Sequence, residues 1–114
     1  SKLQNIGKST QSKAALEKID NTLEQTKMAV DFQVEQAKIS YKNAILDLDA
    51  QKKNIELAES VYNTTKKKYE QGLASNTDVL LAENELQQGQ SNYFRSLYNA
   101  AIAQVALKRA TGKL

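Results

Sequence analysis

Few residue types in this chain could do chemistry. The 114 residues include no His and no Cys, so an imidazole base and a thiolate are both absent. Asp47 and Asp49 are two residues apart and cannot share one face of a helix. There is also no glycine-rich phosphate loop. With no base, thiol or pair of acids facing one pocket, the sequence predicts no enzyme, no cofactor and no metal-ligand set.

The basic residues are too few and too dispersed to indicate nucleic-acid binding. The formal net charge is +3, and no basic stripe is interleaved with aromatic residues. The one cluster, Lys66–Lys68, precedes Gly72, where positive charge favours the negative end of a helix dipole. An acidic partner or a lipid headgroup is the alternative reading of this cluster. No run of about 20 apolar residues indicates a transmembrane helix.

The distribution of proline and glycine predicts two long helices. Proline is absent from the chain, and no glycine occurs between Lys8 and Gly72. Residues 1–9 lack helical periodicity and are predicted to form an entry segment. We predict a long helix over residues 10–71, a turn at 72–75 and a second helix at 76–111. The fold class is therefore all-α, a long antiparallel helical hairpin or coiled coil with unequal arms.

Heptad repeats predict how the two helices pack. Large residues recur every seven positions in each helix, and mostly small residues follow them by three, which is the a/d pattern of a coiled coil. Small residues at d allow the two backbones to approach closely. The predicted seam contains Val34, Tyr41, Leu48, Ile55, Tyr62 and Tyr69 with Ala37, Ala44, Gln51, Ala58, Thr65 and Gly72, and Val79, Leu86, Tyr93, Ala100 and Leu107 with Ala82, Gly89, Ser96, Ala103 and Ala110.

The connection carries the sequence signals of a helix end followed by a helix start. Gly72 can adopt the left-handed conformation without a steric penalty. Ser75 is the predicted N-cap of the second helix, and Asp78, three residues later, completes a capping box. Thr111-Gly112 is the predicted stop of the second helix.

The unequal arms predict an unpartnered surface. Antiparallel pairing around the turn places residue 72−k opposite about 77+k, so the second helix covers the first only back to about residue 38. Residues 10–37 then expose an apolar stripe, which indicates another copy or the rest of a longer chain packed in a bundle.

The segment Tyr69-x-x-Gly72-Leu73-Ala74-Ser75-x-x-Asp78-Val79-Leu80 resembles the second helical-hairpin tip of the TolC-like outer-membrane efflux proteins. The C-terminal run Ala110-Thr111-Gly112-Lys113-Leu114 is similar to the end of that hairpin. The stretch around Ile6-Gly7-Lys8 resembles the point where a barrel strand meets the long periplasmic helix. The resemblance covers nearly the whole chain, and the hairpin tip is its most specific part.

The resemblance implies a function in export. Proteins of this family are trimers with an outer-membrane barrel and a periplasmic helical tunnel, in Gram-negative-type cells. Their tips meet a periplasmic adaptor protein, which joins them to an inner-membrane transporter in a tripartite pump. No alternating strands of about ten residues occur here, so this chain is expected to be a periplasmic hairpin segment without the barrel.

The resemblance also assigns residues at the tip. It places the adaptor contact at Gly72, Leu73, Ala74 and Ser75. It places Tyr69 and Asp78 at the constriction of the tunnel, although Tyr69 also fits the seam and Asp78 also fits a helix cap. Two positions depart from the family pattern. Ala74 stands where some members have an Arg that locks the closed tip, and Leu81 stands where some have a second constricting Asp.

Two other functions fit a helical hairpin. One is the hairpin of the periplasmic adaptor itself, although adaptor hairpins have arms of similar length and usually an Arg-Leu-Ser-type tip. The other is a self-associating structural coiled coil.

Overall fold

The computed structural model of the protein describes residues 1–113 and consists of two helices. Helix α1 spans Lys2–Glu70 and helix α2 spans Asn76–Ala110, with residues 71–75 between them. No strand occurs in this part of the chain. The predicted all-α helical hairpin with unequal arms is confirmed, and both helix ends at the turn lie within a residue of their predicted positions.

The start of α1 differs from the prediction. The helix begins at Lys2, so residues 2–9 are helical rather than a separate entry segment. Ser1 precedes the first turn, with its carbonyl accepting the N–H of Asn5 at 3.1 Å and its hydroxyl accepting that of Gln4 at 3.4 Å. Helical periodicity is the signature of a packed face, whereas helix formation requires only backbone hydrogen bonds. The absence of periodicity in residues 1–9 therefore indicated an unpacked face and not an unstructured one.

The contacts within the chain define two units, residues 1–36 and residues 37–114. In the first unit, every side chain from residue 1 to residue 33 is exposed. This confirms the predicted exposure of the apolar stripe over residues 10–33. The exposed large apolar residues of this unit are Leu3, Ile6, Leu16, Ile19, Leu23, Met28, Val30 and Phe32.

The second unit contains the seam between α2 and the facing part of α1. In α1, the half-buried residues of this unit are the predicted a and d positions from Ala37 to Thr65. The fully buried residues are all small: Ala82, Ser96 and Ala100. Gly89 brings the helices close, since a Cβ built on it would lie 3.8 Å from the Cα of Ile55. The predicted seam is thus confirmed over residues 37–65 and 79–110.

The second helix ends as predicted. Gly112 has a φ of 71°, and its N–H donates to the Arg109 carbonyl at 3.1 Å. The Lys113 N–H donates to the Lys108 carbonyl at 2.8 Å. These two bonds form a Schellman motif, which satisfies carbonyls that the end of the helix would otherwise leave free.

Candidate functional site at the hairpin tip

The residues from Tyr69 to Asp78, called the tip from here on, begin with a Schellman motif at the end of α1. The Leu73 N–H donates to the Lys68 carbonyl at 2.7 Å, and the Gly72 N–H donates to the Tyr69 carbonyl at 3.0 Å. Gly72 has a φ of 77° and no heavy atom within 4 Å of the place a Cβ would occupy. The turn therefore requires glycine for its backbone conformation and not for space.

A capping box begins α2, as the sequence predicts. The Asp78 N–H donates to the Ser75 hydroxyl at 3.1 Å, and the Ser75 N–H donates to the Asp78 carboxylate at 2.9 Å. Ser75 itself is extended, with φ −87° and ψ 163°. The two reciprocal bonds satisfy donors that the first turn of a helix leaves unpaired. Because the Schellman motif lies immediately before the capping box, hydrogen bonds fix the backbone at both ends of the turn.

The same hydrogen bonds lower the pKa of the Asp78 carboxyl. The bond from the Ser75 backbone N–H, followed by the bond with the Ser75 side chain, holds the pKa of the Asp78 carboxyl below its ordinary value of 3.8. A negative charge in the first turn of α2 also interacts favourably with the positive end of the helix dipole.

The tip exposes large apolar side chains on this fixed backbone. Leu73 is 73% exposed, although it lies between two groups of backbone hydrogen bonds. Leu80 and Leu81, in the second turn of α2, are 50% and 57% exposed. Tyr69 is 47% exposed. The seam repeat predicts it as a packed residue, but α1 ends at Glu70 and leaves the ring at the edge of the seam.

A shallow groove of about 360 Å³ lies between the two helices at the tip. Three of the residues predicted for the site, Leu73, Ala74 and Asp78, line this groove. Of the other three, Gly72 and Ser75 shape the backbone of the turn, and Tyr69 is absent from the groove lining. The remaining lining residues are Val61, Thr65, Lys68, Leu81, Ala82 and Glu85.

The sequence prediction did not include Lys68 and Glu85 in the site. Both are found from helical spacing once the turn is located. Asp78, Leu81 and Glu85 are three and four residues apart and share one face of α2. Lys68 lies four residues before Gly72 on the opposite wall. The groove lining thus includes a cation from α1, two acids from α2 and several apolar side chains.

Within residues 1–113, no three His, Cys, Asp or Glu side chains are arranged to hold a metal ion. Neither helix, over its described length, has a stretch apolar enough to cross a membrane.

Comparison with known protein families gives one finding for this chain. Residues 4–113 match the family model described as outer membrane efflux protein. No curated protein and no solved structure matches the chain. The matched range includes both helices and the whole tip.

Proposed function

Because this chain belongs to the outer membrane efflux protein family, we propose that its hairpin forms part of the periplasmic helical tunnel of an efflux or secretion channel. We further propose that the tip docks a periplasmic adaptor protein of a tripartite pump. The inner-membrane transporter is then reached indirectly, through the adaptor.

The observation that carries the docking proposal is the combination of exposure and fixed geometry at Leu73. Large apolar side chains on a protein surface are frequent in binding sites, especially when they form a patch. Leu73, 73% exposed, is joined by the exposed Leu80 and Leu81. Hydrogen bonds on both sides of Leu73 fix its backbone, so little conformational entropy is lost when a partner binds.

The charges of the groove support a protein partner with a mixed apolar and polar surface. Lys68 on one wall and Asp78 with Glu85 on the other can pair with opposite charges at the rim of an interface. The apolar residues between those walls can then form its core. For this chain the proposed contact residues are Gly72, Leu73, Ala74 and Ser75.

Tyr69 and Asp78 are proposed to line the constriction of the tunnel. The position of the Asp78 side chain in the lining of the tip groove supports this assignment. Closure by ion pairs receives less support, since Ala74 and Leu81 stand where some family members have an Arg and a second constricting Asp. In the assembled channel, Asp78→Asn should reduce selectivity for cations in a planar bilayer, and unchanged selectivity would remove Asp78 from the constriction.

The exposed residues of the first unit support an oligomer. Leu16, Ile19, Leu23 and Val30 follow one another at spacings of three, four and seven residues, which places them on one helix face, and all are exposed. We propose that further copies of the chain cover this face, as a trimeric tunnel requires. Leu16→Gln combined with Leu23→Gln should then weaken self-association in sedimentation equilibrium. A parent chain that remains monomeric at high concentration would contradict the proposal.

Site-specific cross-linking tests the docking proposal. A photo-reactive residue at position 73 should cross-link to a co-expressed adaptor, whereas the same residue at the exposed shaft position Asn63 should not. Ser75 is unsuitable as a probe because its hydroxyl caps α2. Cross-links at position 73 only to other copies of the chain would favour the self-associating coiled coil instead.

A further inference from the structure

The groove at the tip continues along the hairpin. A second groove, of about 310 Å³, shares Val61 and Glu85 with it, so the two follow one face of the hairpin. The α2 residues that line the combined groove are Asp78, Leu81, Ala82, Glu85, Gln88, Gly89 and Asn92. Leu81 is the one large apolar side chain in this set, and the groove residues three before it and four after it are acidic.

Leu81 differs in position from its neighbour Leu80. The two side chains are similarly exposed, at 57% and 50%. Consecutive residues of a helix point about 100° apart, because a turn contains 3.6 residues. Leu80 is absent from the lining of both grooves, whereas Leu81 shares its face with Asp78. The second turn of α2 therefore presents two leucines to different sides of the hairpin.

Assembly turns the single Leu81 side chain into a ring. In one hairpin, an isolated exposed leucine is ordinary for a protein surface. In the proposed tunnel, symmetry-related copies place Leu81 at one height around the axis. Asp78, which is proposed to line the constriction, lies three residues earlier on the same face, about 4.5 Å away along the helix. The ring of Leu81 side chains thus lies where the tunnel is narrow.

We propose that Leu81 forms an apolar collar beside the Asp78 constriction and closes the resting tunnel to ions by excluding water. This inference rests on the proposed place of Asp78 at the constriction. A narrow apolar constriction blocks ions because water leaves it. The collar closes the tunnel without ion pairs, which require charged side chains that Ala74 and Leu81 do not have.

The resting conductance of the assembled channel in planar bilayers tests the collar. Leu81→Ser should raise this conductance severalfold, because a hydroxyl in place of the apolar side chain lets water enter the constriction. Leu81→Met keeps an apolar side chain of similar size and should keep the conductance of the parent channel. Both variants should fold, since residue 81 is more than half exposed in the hairpin.

Leu80→Ser is the matched control, because it removes an equally large and similarly exposed side chain outside the groove lining. It should leave the resting conductance unchanged. Equal conductance in the parent channel and Leu81→Ser would overturn the collar, and so would equal increases in Leu80→Ser and Leu81→Ser. A weaker adaptor affinity of Leu81→Ser without a rise in conductance would assign Leu81 to docking instead and would also overturn the collar.

The ion selectivity of Asp78→Asn separates the collar from the proposed function on which it rests. Changed selectivity in Asp78→Asn together with unchanged conductance in Leu81→Ser would keep Asp78 at the constriction and overturn only the collar. No change in either variant would overturn both assignments. Changed selectivity together with raised conductance is the result that the collar predicts.

Discussion

Helices α1 and α2 both end in a Schellman motif, but the residues that follow the glycine differ between the two ends. Gly72 and Gly112 have φ values of 77° and 71°. The bonds that close the two Schellman motifs are 2.7 Å at Leu73 and 2.8 Å at Lys113. A Schellman motif by itself therefore does not distinguish a functional site from an ordinary helix end. What distinguishes the tip is the residues that follow its glycine.

The residue after each glycine shows the difference most clearly. In a Schellman motif, an apolar residue at this position commonly packs back onto the last turns of the helix. At the C-terminal end the position is occupied by Lys113, which is polar. At the tip it is occupied by Leu73, which is apolar but 73% exposed. Leu73 is thus an apolar residue that the fold leaves largely uncovered at a turn fixed by hydrogen bonds, and the docking proposal rests on this difference.

The largest difference in stability between the two ends is expected when a β-branched residue replaces the glycine at each end. A non-glycine residue held at positive φ costs roughly 1–3 kcal/mol. Gly72→Val should lower the free energy of unfolding by that amount and impair docking, because the turn sets how α2 meets α1. Gly112→Val should mainly fray the last turn of α2.

Urea denaturation followed by circular dichroism measures both variants. Gly72→Asn is the control, since Asn tolerates the left-handed conformation better than other non-glycine residues. Equal losses in Gly72→Val and Gly112→Val would show that the tip contributes no more to the hairpin than a terminal stop.

A smaller difference in stability is expected when the side-chain hydroxyl near each helix end, that of Ser75 or that of Thr111, is removed. Ser75→Ala removes an N-cap and should cost about 1 kcal/mol. The Thr111 hydroxyl donates to the Leu107 and Lys108 carbonyls of the helix it follows and satisfies no free backbone N–H, so Thr111→Ala should cost less. Thermal unfolding of the two variants beside Ser75→Thr checks the ranking. A loss in Thr111→Ala as large as that in Ser75→Ala would contradict it.

The sequence was sufficient to predict the tip and the seam because both depend on local rules. The Gly72 stop, the Ser75–Asp78 capping box and the heptad positions all follow from residue type and spacing. Three features could not be predicted in this way. The start at Lys2 has no packing pattern to mark it. The exposure of Tyr69 depends on where α1 ends. Helical spacing places Lys68 and Glu85 near the turn, but whether the two residues line one groove depends on how the helices meet.

The pH dependence of stability should differ between the ends as well. The pKa of Asp78 is lowered in the folded state. The ionised carboxylate therefore contributes its full stabilisation of the folded chain above about pH 3.8, and this stabilisation is lost as the pH falls through the lower folded pKa. The C-terminal stop has no corresponding acid. The difference in stability between the parent chain and Asp78→Asn should therefore shrink in acid. A difference that is constant from pH 7 to pH 2 would argue against the capping box as its source.

The smallest expected effect on stability, and the most direct test of docking, comes from the exposed leucines. Leu73→Ser and Leu57→Ser replace side chains that are 73% and 65% exposed. Exposed substitutions of this kind usually change stability by less than about 0.5 kcal/mol. Both variants should consequently keep the helicity and unfolding midpoint of the parent chain.

Adaptor affinity should separate these two variants, and its measurement tests the central claim most directly. Titrating the purified periplasmic adaptor against each variant should give a Kd raised at least about tenfold by Leu73→Ser, as expected for a central apolar contact. Leu57→Ser, on the shaft, should leave the Kd unchanged. Equal affinities for both variants and the parent chain would contradict docking at the tip.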